Sequence, residues 1–236
     1  MKLLLLLSLV GAAGKQGDGR IVGGYECTPN SKPWMASLNY GYHFCGAVLI
    51  NEQWVLSVAH CCPYAMQIML GEHDLRVFEA TANTTNPIPD SLFKKLFIKI
   101  ISLLILTDAV RPVALPSGCP YAGMSCSVSG WGNTDAVNGE TEKRELSSSL
   151  GEANDENKDC ESSYPGMITR NMMCAGYLDG GKGVCNGDSG SPLICQGEVH
   201  GLVSWGQGCA QPNYPAVYVK VCEFLYWISD TLEANA

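Results

Sequence analysis

Short apolar runs, each about as long as a β-strand, follow one another along the chain after residue 20 and are separated by Gly, Pro, Asn and Ser. Clear examples are residues 54–59, 125–130 and 201–205. Many short strands at this spacing predict an all-β fold, either a sandwich or a barrel. A helical period follows near the C-terminus, and one face of that helix would carry Val221, Phe224, Leu225, Ile228 and Leu232.

Two segments differ from this pattern. Residues 92–106 are strongly apolar but contain Lys94, Lys95 and Lys99, so they are too interrupted to cross a bilayer, which needs roughly 20 apolar residues. We therefore predict a pair of buried strands there rather than a membrane segment. Residues 138–159 are polar, with several charges and three consecutive serines, and they predict an exposed loop or a poorly ordered connection.

Residues 1–13 have the pattern of a secretory signal peptide. Lys2 is followed by an apolar run that ends at Val10, and small residues come next. The pattern predicts a secreted, extracellular protein without a membrane anchor. In that oxidising environment the 12 cysteines would form disulfides, and the chain has no CxxC pair that would favour zinc.

Composition excludes two classes of protein. Hydrophobic residues make up 46% of the chain and charged residues 16%, which is too apolar for a disordered chain. The formal net charge is -8, whereas a nucleic-acid binder needs a basic surface.

The sequence Gly187-Asp188-Ser189-Gly190 contains the clearest candidate for catalysis. A nucleophilic serine needs a tight turn that exposes its hydroxyl, and the two glycines permit one. Backbone N–H groups of such a turn would then point at a developing oxyanion. His60, at the end of an apolar run, is a candidate general base. Taken alone, the four residues also fit an ordinary β-turn.

A third signal lies around Arg20. A cut after Arg20 would remove residues 14–20 as an activation peptide and create a new N-terminus at Ile21. The ammonium of that apolar N-terminus could be buried only against a carboxylate. Asp188, beside the candidate nucleophile, is the predicted partner.

These signals occur together with further motifs in a fixed order: IVGGYEC, WVLSVAHC, SGWGNT, GDSG and VSWGQGC. From residue 21 to about residue 234 the chain resembles the zymogens of trypsin-type serine endopeptidases. The resemblance implies a protease domain over residues 21–236, built from two packed antiparallel six-stranded β-barrels and a C-terminal helix. It also implies that Ser189 forms an acyl-enzyme with His60 as base, and that Gly187 and Ser189 form the oxyanion hole.

The resemblance further implies a monomer that needs no cofactor, acts on polypeptides in digestion, is bound by protease inhibitors, and has no nucleic-acid or membrane partner. Two cysteines, Cys27 and Cys62, are left without an assigned partner. The implied disulfides are Cys45 to Cys61, Cys119 to Cys222, Cys126 to Cys195, Cys160 to Cys174, and Cys185 to Cys209.

The acid of the catalytic triad is where the sequence departs most from the family. One alignment places Lys94 at the position of the acid, which would put a cation beside the base and predict a crippled site. The other uses Asp90, but it shortens the path from His60 and requires a truncated first barrel. Asp90 is the preferred candidate, and the alternative is that it only caps a turn. Two hypotheses therefore stay open: an active endopeptidase, and a catalytically inactive homologue that binds other proteins or is vestigial.

The specificity pocket departs as well. Gly183 stands where trypsins have an aspartate, Val184 lies beside it, and Ala216 replaces a glycine. An uncompensated basic substrate side chain would be costly to bury there, so the pocket predicts a preference for uncharged P1 residues. Ser191 also replaces a glycine and would crowd the turn behind the nucleophile. The backbone edge that pairs with substrate would be Ser204, Trp205 and Gly206.

A loop that resembles the calcium loop of trypsins offers Glu72, Asp74 and Glu79 as oxygen ligands, although Ala82 replaces a usual acid. A loop without an ion is the alternative. Asn83 begins a glycosylation sequon.

Overall fold

The structure is a computed structural model, and it describes residues 21–61, 66–76, 83–84, 93–94, 97–100, 104–132, 144–149 and 158–235. Several residues singled out in the sequence, namely Arg20, Cys62, Glu79 and Asp90, lie outside these ranges.

The first antiparallel sheet is formed by strands from the first half of the chain. Its strands are β2 (Met35–Asn39), β3 (His43–Asn51), β4 (Trp54–Leu56), β5 (Gln67–Leu70), β6 (Asn83–Thr84), β7 (Phe93–Lys94) and β8 (Phe97–Lys99). They lie in the order β6-β5-β2-β3-β4-β8-β7. The antiparallel pairing of β7 with β8 confirms strands within residues 92–106.

The second sheet begins with β1 (Tyr25–Glu26) and otherwise comes from the later part of the chain. Its other strands are β9 (Ser125–Gly130), β10 (Arg144–Ser149), β11 (Met172–Ala175), β12 (Pro192–Cys195), β13 (Glu198–Trp205) and β14 (Ala216–Lys220). The order is β1-β10-β9-β12-β13-β14-β11. The predicted all-β fold with two antiparallel sheets is therefore confirmed.

Two details differ from the sequence predictions. Each sheet has seven strands rather than six, because two-residue strands such as β1 and β6 extend the edges. The prediction of a loop over residues 138–159 is wrong for β10, which pairs with β9 over six residues. Main-chain hydrogen bonds hold a strand whatever its side chains are, so a run of serines does not prevent pairing. The predicted truncation of the first barrel falls largely on residues outside the described ranges and stays a prediction.

The chain ends in a 3-10 turn (Val221–Phe224) and helix α2 (Leu225–Glu233), and a short helix α1 (Lys158–Ser163) precedes β11. Val221 and Ile228 are buried in the hydrophobic cluster of the first sheet. The C-terminal helix therefore crosses back to the first half of the molecule, and the predicted apolar face is the one that packs.

All five disulfides implied by the resemblance are confirmed. The bridge between Cys119 and Cys222 ties the segment between the sheets to the C-terminal helix. Cys27 is buried. No helix in the described residues is long and apolar enough to cross a membrane.

Candidate active site

The loop that carries Ser189 is held by both halves of the molecule. The amide of Gly46, in β3, donates to the Ser189 carbonyl at 2.8 Å, and the amide of Gly190 donates to the Val203 carbonyl in β13 at 2.7 Å. Gly190 has a φ of +82°, and a Cβ there would overlap the Gly46 carbonyl. Only glycine fits this turn, so the backbone fixes where the Ser189 side chain starts.

His60 lies in a 3-10 turn (Ala59–Cys61) that follows β4. The neighbouring Cys61 is bonded to Cys45, and its sulfur lies 3.6 Å from the Ser189 carbonyl oxygen. The disulfide therefore brings the turn of His60 against the loop of Ser189. Partial burial lowers the pKa of His60, which favours the neutral form that a general base needs.

The candidate triad acid, Asp90, lies outside the described residues, so the contacts of His60 can be described only within the rest of the chain. No hydrogen bond there joins His60 to a carboxylate or to Ser189. The backbone of Lys94 pairs with Phe97 in the β7–β8 hairpin.

Asp188 is fully buried directly behind the nucleophile. Its two carboxylate oxygens accept hydrogen bonds from the amides of Gly132 at 2.8 Å and Cys185 at 2.9 Å. Burial raises the pKa of Asp188 to about 7, against the opposing effect of these two hydrogen bonds. A Cβ at Gly130 or Gly132 would overlap the carboxylate, so glycine at these positions makes room for it.

The segment proposed to become the N-terminus lies beside these groups. Ile21 is fully buried in the same hydrophobic cluster as Val184 and Tyr218. The amide of Gly183 donates to the Val22 carbonyl at 3.0 Å, so the segment is joined to the pocket wall.

Sequence reasoning missed His43, which lies at the start of β3. Its Nε2 donates to the Gly187 carbonyl at 2.9 Å, and its Nδ1 accepts from the Ser37 hydroxyl at 2.8 Å. Burial lowers the pKa of His43 to about 4, although the hydrogen bond to Gly187 raises it slightly. A neutral histidine therefore orients the peptide group that follows the oxyanion amide. The available signal was a histidine beside the apolar run that starts at Phe44.

A pocket of about 100 Å³ opens beside Ser189. Five of the predicted pocket residues line it: Gly183, Val184, Trp205, Gly206 and Ala216. Ser204 does not line it, because neighbouring side chains along a strand point to opposite sides.

Tyr164 holds two walls of this pocket together, and sequence reasoning missed it. Its hydroxyl donates to the Pro215 carbonyl at 2.8 Å and accepts from the Gln207 amide at 3.2 Å. Its ring meets Trp205 edge-on, with the centroids 4.9 Å apart. Both walls are therefore fixed to one side chain.

Ser191 lies behind the nucleophile, against the first sheet. It is fully buried, and its hydroxyl has no hydrogen-bond partner among the described residues. A Cβ at Gly46 would overlap this hydroxyl, which shows how closely the two chains approach. The predicted crowding therefore takes the form of an unsatisfied polar group at the contact between the halves.

In the described part of the loop that resembles a calcium site, one of the predicted ligands is already paired within the chain. Asp74 accepts from Arg76 through both carboxylate oxygens, the closest contact being 2.6 Å, so a cation of the chain occupies this carboxylate. Glu72 is buried, and Glu79 is outside the described residues. The one metal-like cluster in the described chain is Cys119, Cys222 and Glu223, whose sulfurs form a disulfide.

Comparison of the sequence with known proteins identifies the family. The family model described as Trypsin matches residues 21–228. A trypsin from Pleuronectes platessa is 57% identical and covers 99% of both chains. A trypsin from Xenopus laevis is 46% identical over 100% of both chains, and an anionic trypsin from Bos taurus is 45% identical over 99% of both. The chain therefore belongs to the trypsin family of serine endopeptidases.

Proposed function

We propose that the protein is a secreted zymogen of an active serine endopeptidase that cleaves after uncharged residues. The observation that carries the proposal is the attachment of the Ser189 loop to both sheets, through the amides of Gly46 and Gly190. These hydrogen bonds fix where the Ser189 side chain starts, which is what a positioned nucleophile requires.

In the proposed mechanism the Ser189 hydroxyl attacks the carbonyl carbon of the scissile peptide, and His60 takes the proton. The amides of Gly187 and Ser189 donate to the oxyanion of the tetrahedral intermediate. His60 then protonates the leaving amine as the carbon–nitrogen bond breaks. Water attacks the acyl-enzyme, again with His60 as base, and releases Ser189.

The third member of the triad is assigned to Asp90. A carboxylate there would fix the tautomer of His60 and stabilise its cation during the proton transfers. His43 acts on the other side of the nucleophile, since its hydrogen bond to the Gly187 carbonyl keeps the oxyanion amide in place.

Activation follows from the position of Asp188. In the uncut chain its high pKa leaves much of the carboxylate protonated near neutral pH. A cut after Arg20 would supply the Ile21 ammonium, an opposite charge that favours the ionised carboxylate. The pair would then lock the loop of the oxyanion hole in its working shape.

The preference for uncharged P1 residues follows from the pocket. Gly183 supplies no carboxylate, and Val184 is buried beside it. A substrate lysine or arginine would lose its hydration without gaining a counter-charge. A monomer in the extracellular digestive fluid, controlled by protease inhibitors, is the setting that this assignment implies.

The test is labelling by a serine-directed phosphonate after the purified protein has been cut behind Arg20. We expect rapid labelling that Ser189→Ala abolishes. Ser229→Ala is the matched control, because Ser229 is an exposed serine of helix α2 that does not line the pocket, and it should label like the wild type. Absence of labelling in correctly folded, cut protein would refute the proposal and leave the inactive homologue as the assignment.

A further inference from the structure

The pocket beside Ser189 contains one lysine and no acid. Among the described residues that line it, Lys182 is the only one with a charged side chain. It directly precedes Gly183, the position at which trypsins have an aspartate. Loss of that aspartate therefore does more than remove a negative charge, since it leaves a positive charge without compensation.

The position of Lys182 is fixed at both ends of its side chain. A Cβ at Gly23 would lie 2.7 Å from Cγ of Lys182, so the stem packs against the docked segment that follows Ile21. The ammonium lies over the ring of Tyr177, 5.3 Å from its centroid, and Tyr177 also lines the pocket. Lys182 is exposed to solvent, and the contact with Tyr177 places its charge at the rim of the pocket.

No carboxylate of the described chain forms an ion pair with Lys182. Asp188 is the buried acid of this region, and its oxygens are used by the amides of Gly132 and Cys185. In the cut protein the Ile21 ammonium would also balance its charge. Lys182 is therefore the one charged side chain that a P1 side chain meets in the described pocket lining, and its effect is reduced by solvent and salt because it is exposed.

We infer that Lys182 determines the charge selectivity of the pocket, favouring a carboxylate-bearing P1 side chain over a cationic one. The inference rests on the proposed function, because it names the substrate class of the same site. Uncharged P1 residues are accepted, glutamate is accepted about as well as glutamine, and lysine is rejected by repulsion as well as by desolvation.

The experiment measures binding rather than turnover, so that it does not depend on catalysis. Cut protein carrying Ser189→Ala is titrated calorimetrically with three peptides that differ only in having Glu, Gln or Lys at P1. We expect Lys182→Met to lower the Glu-to-Gln affinity ratio about three- to fivefold, as removal of one partly solvated charge at short range should. Lys182→Arg should restore the ratio, and high salt should shrink the difference.

Lys220→Met is the matched control, because it removes one positive charge from a residue at the end of β14 that does not line the pocket. It should leave the ratio unchanged. The inference is overturned if Lys182→Met leaves the ratio unchanged, if Lys220→Met changes it equally, or if none of the peptides binds. Failure of the proposed function would appear separately, as binding of the peptides by Ser189→Ala without hydrolysis by the protein that retains Ser189.

Discussion

The two halves of the molecule hold their functional residues in different ways. On the side of the second sheet, the Ser189 loop, Asp188 and the pocket are fixed mainly by backbone amides and by glycines with little room for a side chain. On the side of the first sheet, His60 is placed by its 3-10 turn and by the neighbouring disulfide from Cys45 to Cys61. The carboxylate proposed to orient it is a single side chain, Asp90, which lies outside the described residues.

The difference teaches which parts of such a site tolerate sequence change. A hydrogen bond from a backbone amide survives most substitutions, since every residue except proline supplies the donor. A side-chain carboxylate is lost in a single substitution. The motifs of the half built on backbone groups are therefore recognisable in this sequence. In the half built on one side chain, the sequence leaves two alignments for the triad acid.

The largest expected effect concerns the triad acid proposed for His60. If Asp90 is the triad acid, Asp90→Asn should reduce kcat/KM by about four orders of magnitude, because His60 would lose the group that fixes its tautomer. The measurement is hydrolysis of a peptide with an uncharged P1 residue by the cut protein.

Asp108→Asn is the control for this experiment, since Asp108 is 94% exposed and pairs only with Arg111 in a surface ion pair of the described chain. Its activity should match the wild type. Equal activity of Asp90→Asn and the wild type would remove Asp90 from the triad and break the proposed mechanism.

The same contrast explains how much could be predicted from the sequence. The strands and the C-terminal helix were predictable from apolar periodicity, and the five disulfides from the family resemblance. His43 and Tyr164 were missed, since their roles depend on bonds to backbone groups far along the chain, at Gly187 and Pro215. Strand β10 was missed because its side chains are polar, and its pairing with β1 and β9 depends on main-chain groups that leave no sequence pattern.

A second prediction concerns His43, which belongs to the first sheet but serves the nucleophile. Its pKa is about 4 in the folded protein and 6.5 as a free side chain. Between these values the unfolded chain binds more protons, so His43 makes the folded state less stable as the pH falls. The loss should total about 3 kcal/mol. Asp188 acts oppositely in the uncut chain, since its raised pKa favours the folded state as the pH falls from about 7.

Because the two effects oppose each other, the informative quantity is a difference between variants. His43→Gln keeps a donor for the Gly187 carbonyl but cannot titrate. The free energy of unfolding is measured in urea for uncut Ser189→Ala protein, with and without His43→Gln. The difference between the two free energies should shrink as the pH falls from 7 to 4. A constant difference across this range would contradict the prediction.

A smaller effect is expected where the two halves touch behind the nucleophile. Ser191→Ala removes a buried hydroxyl without a partner, and it should raise the free energy of unfolding by about 1 kcal/mol and Tm by about 2–4 °C. Ser57→Ala is the opposite control, since the Ser57 hydroxyl donates to the Gly46 carbonyl at 2.9 Å and its loss should lower Tm. A lower Tm for Ser191→Ala in thermal unfolding would show that the hydroxyl has a stabilising role.

The smallest effect concerns the loop of Asp74 and Arg76. Because the guanidinium already engages this carboxylate, adding calcium or a chelator should leave Tm unchanged. Arg76→Gln should cost at most about 1 kcal/mol, as expected for a pair that is partly exposed. Arg111→Gln, which breaks the more exposed pair with Asp108, should cost less. A rise of Tm with calcium would contradict the view that Arg76, and not an ion, pairs with Asp74.

The disulfides also determine what a single cut does to the molecule. The polar stretch around β10 lies between Cys126 and Cys160, so it is enclosed by the bridges from Cys119 to Cys222 and from Cys126 to Cys195. A protein cleaved there would keep both fragments joined by two covalent links. Such damage would be invisible on a non-reducing gel and would separate the fragments only after reduction, so nicked protein would persist in solution at full mass.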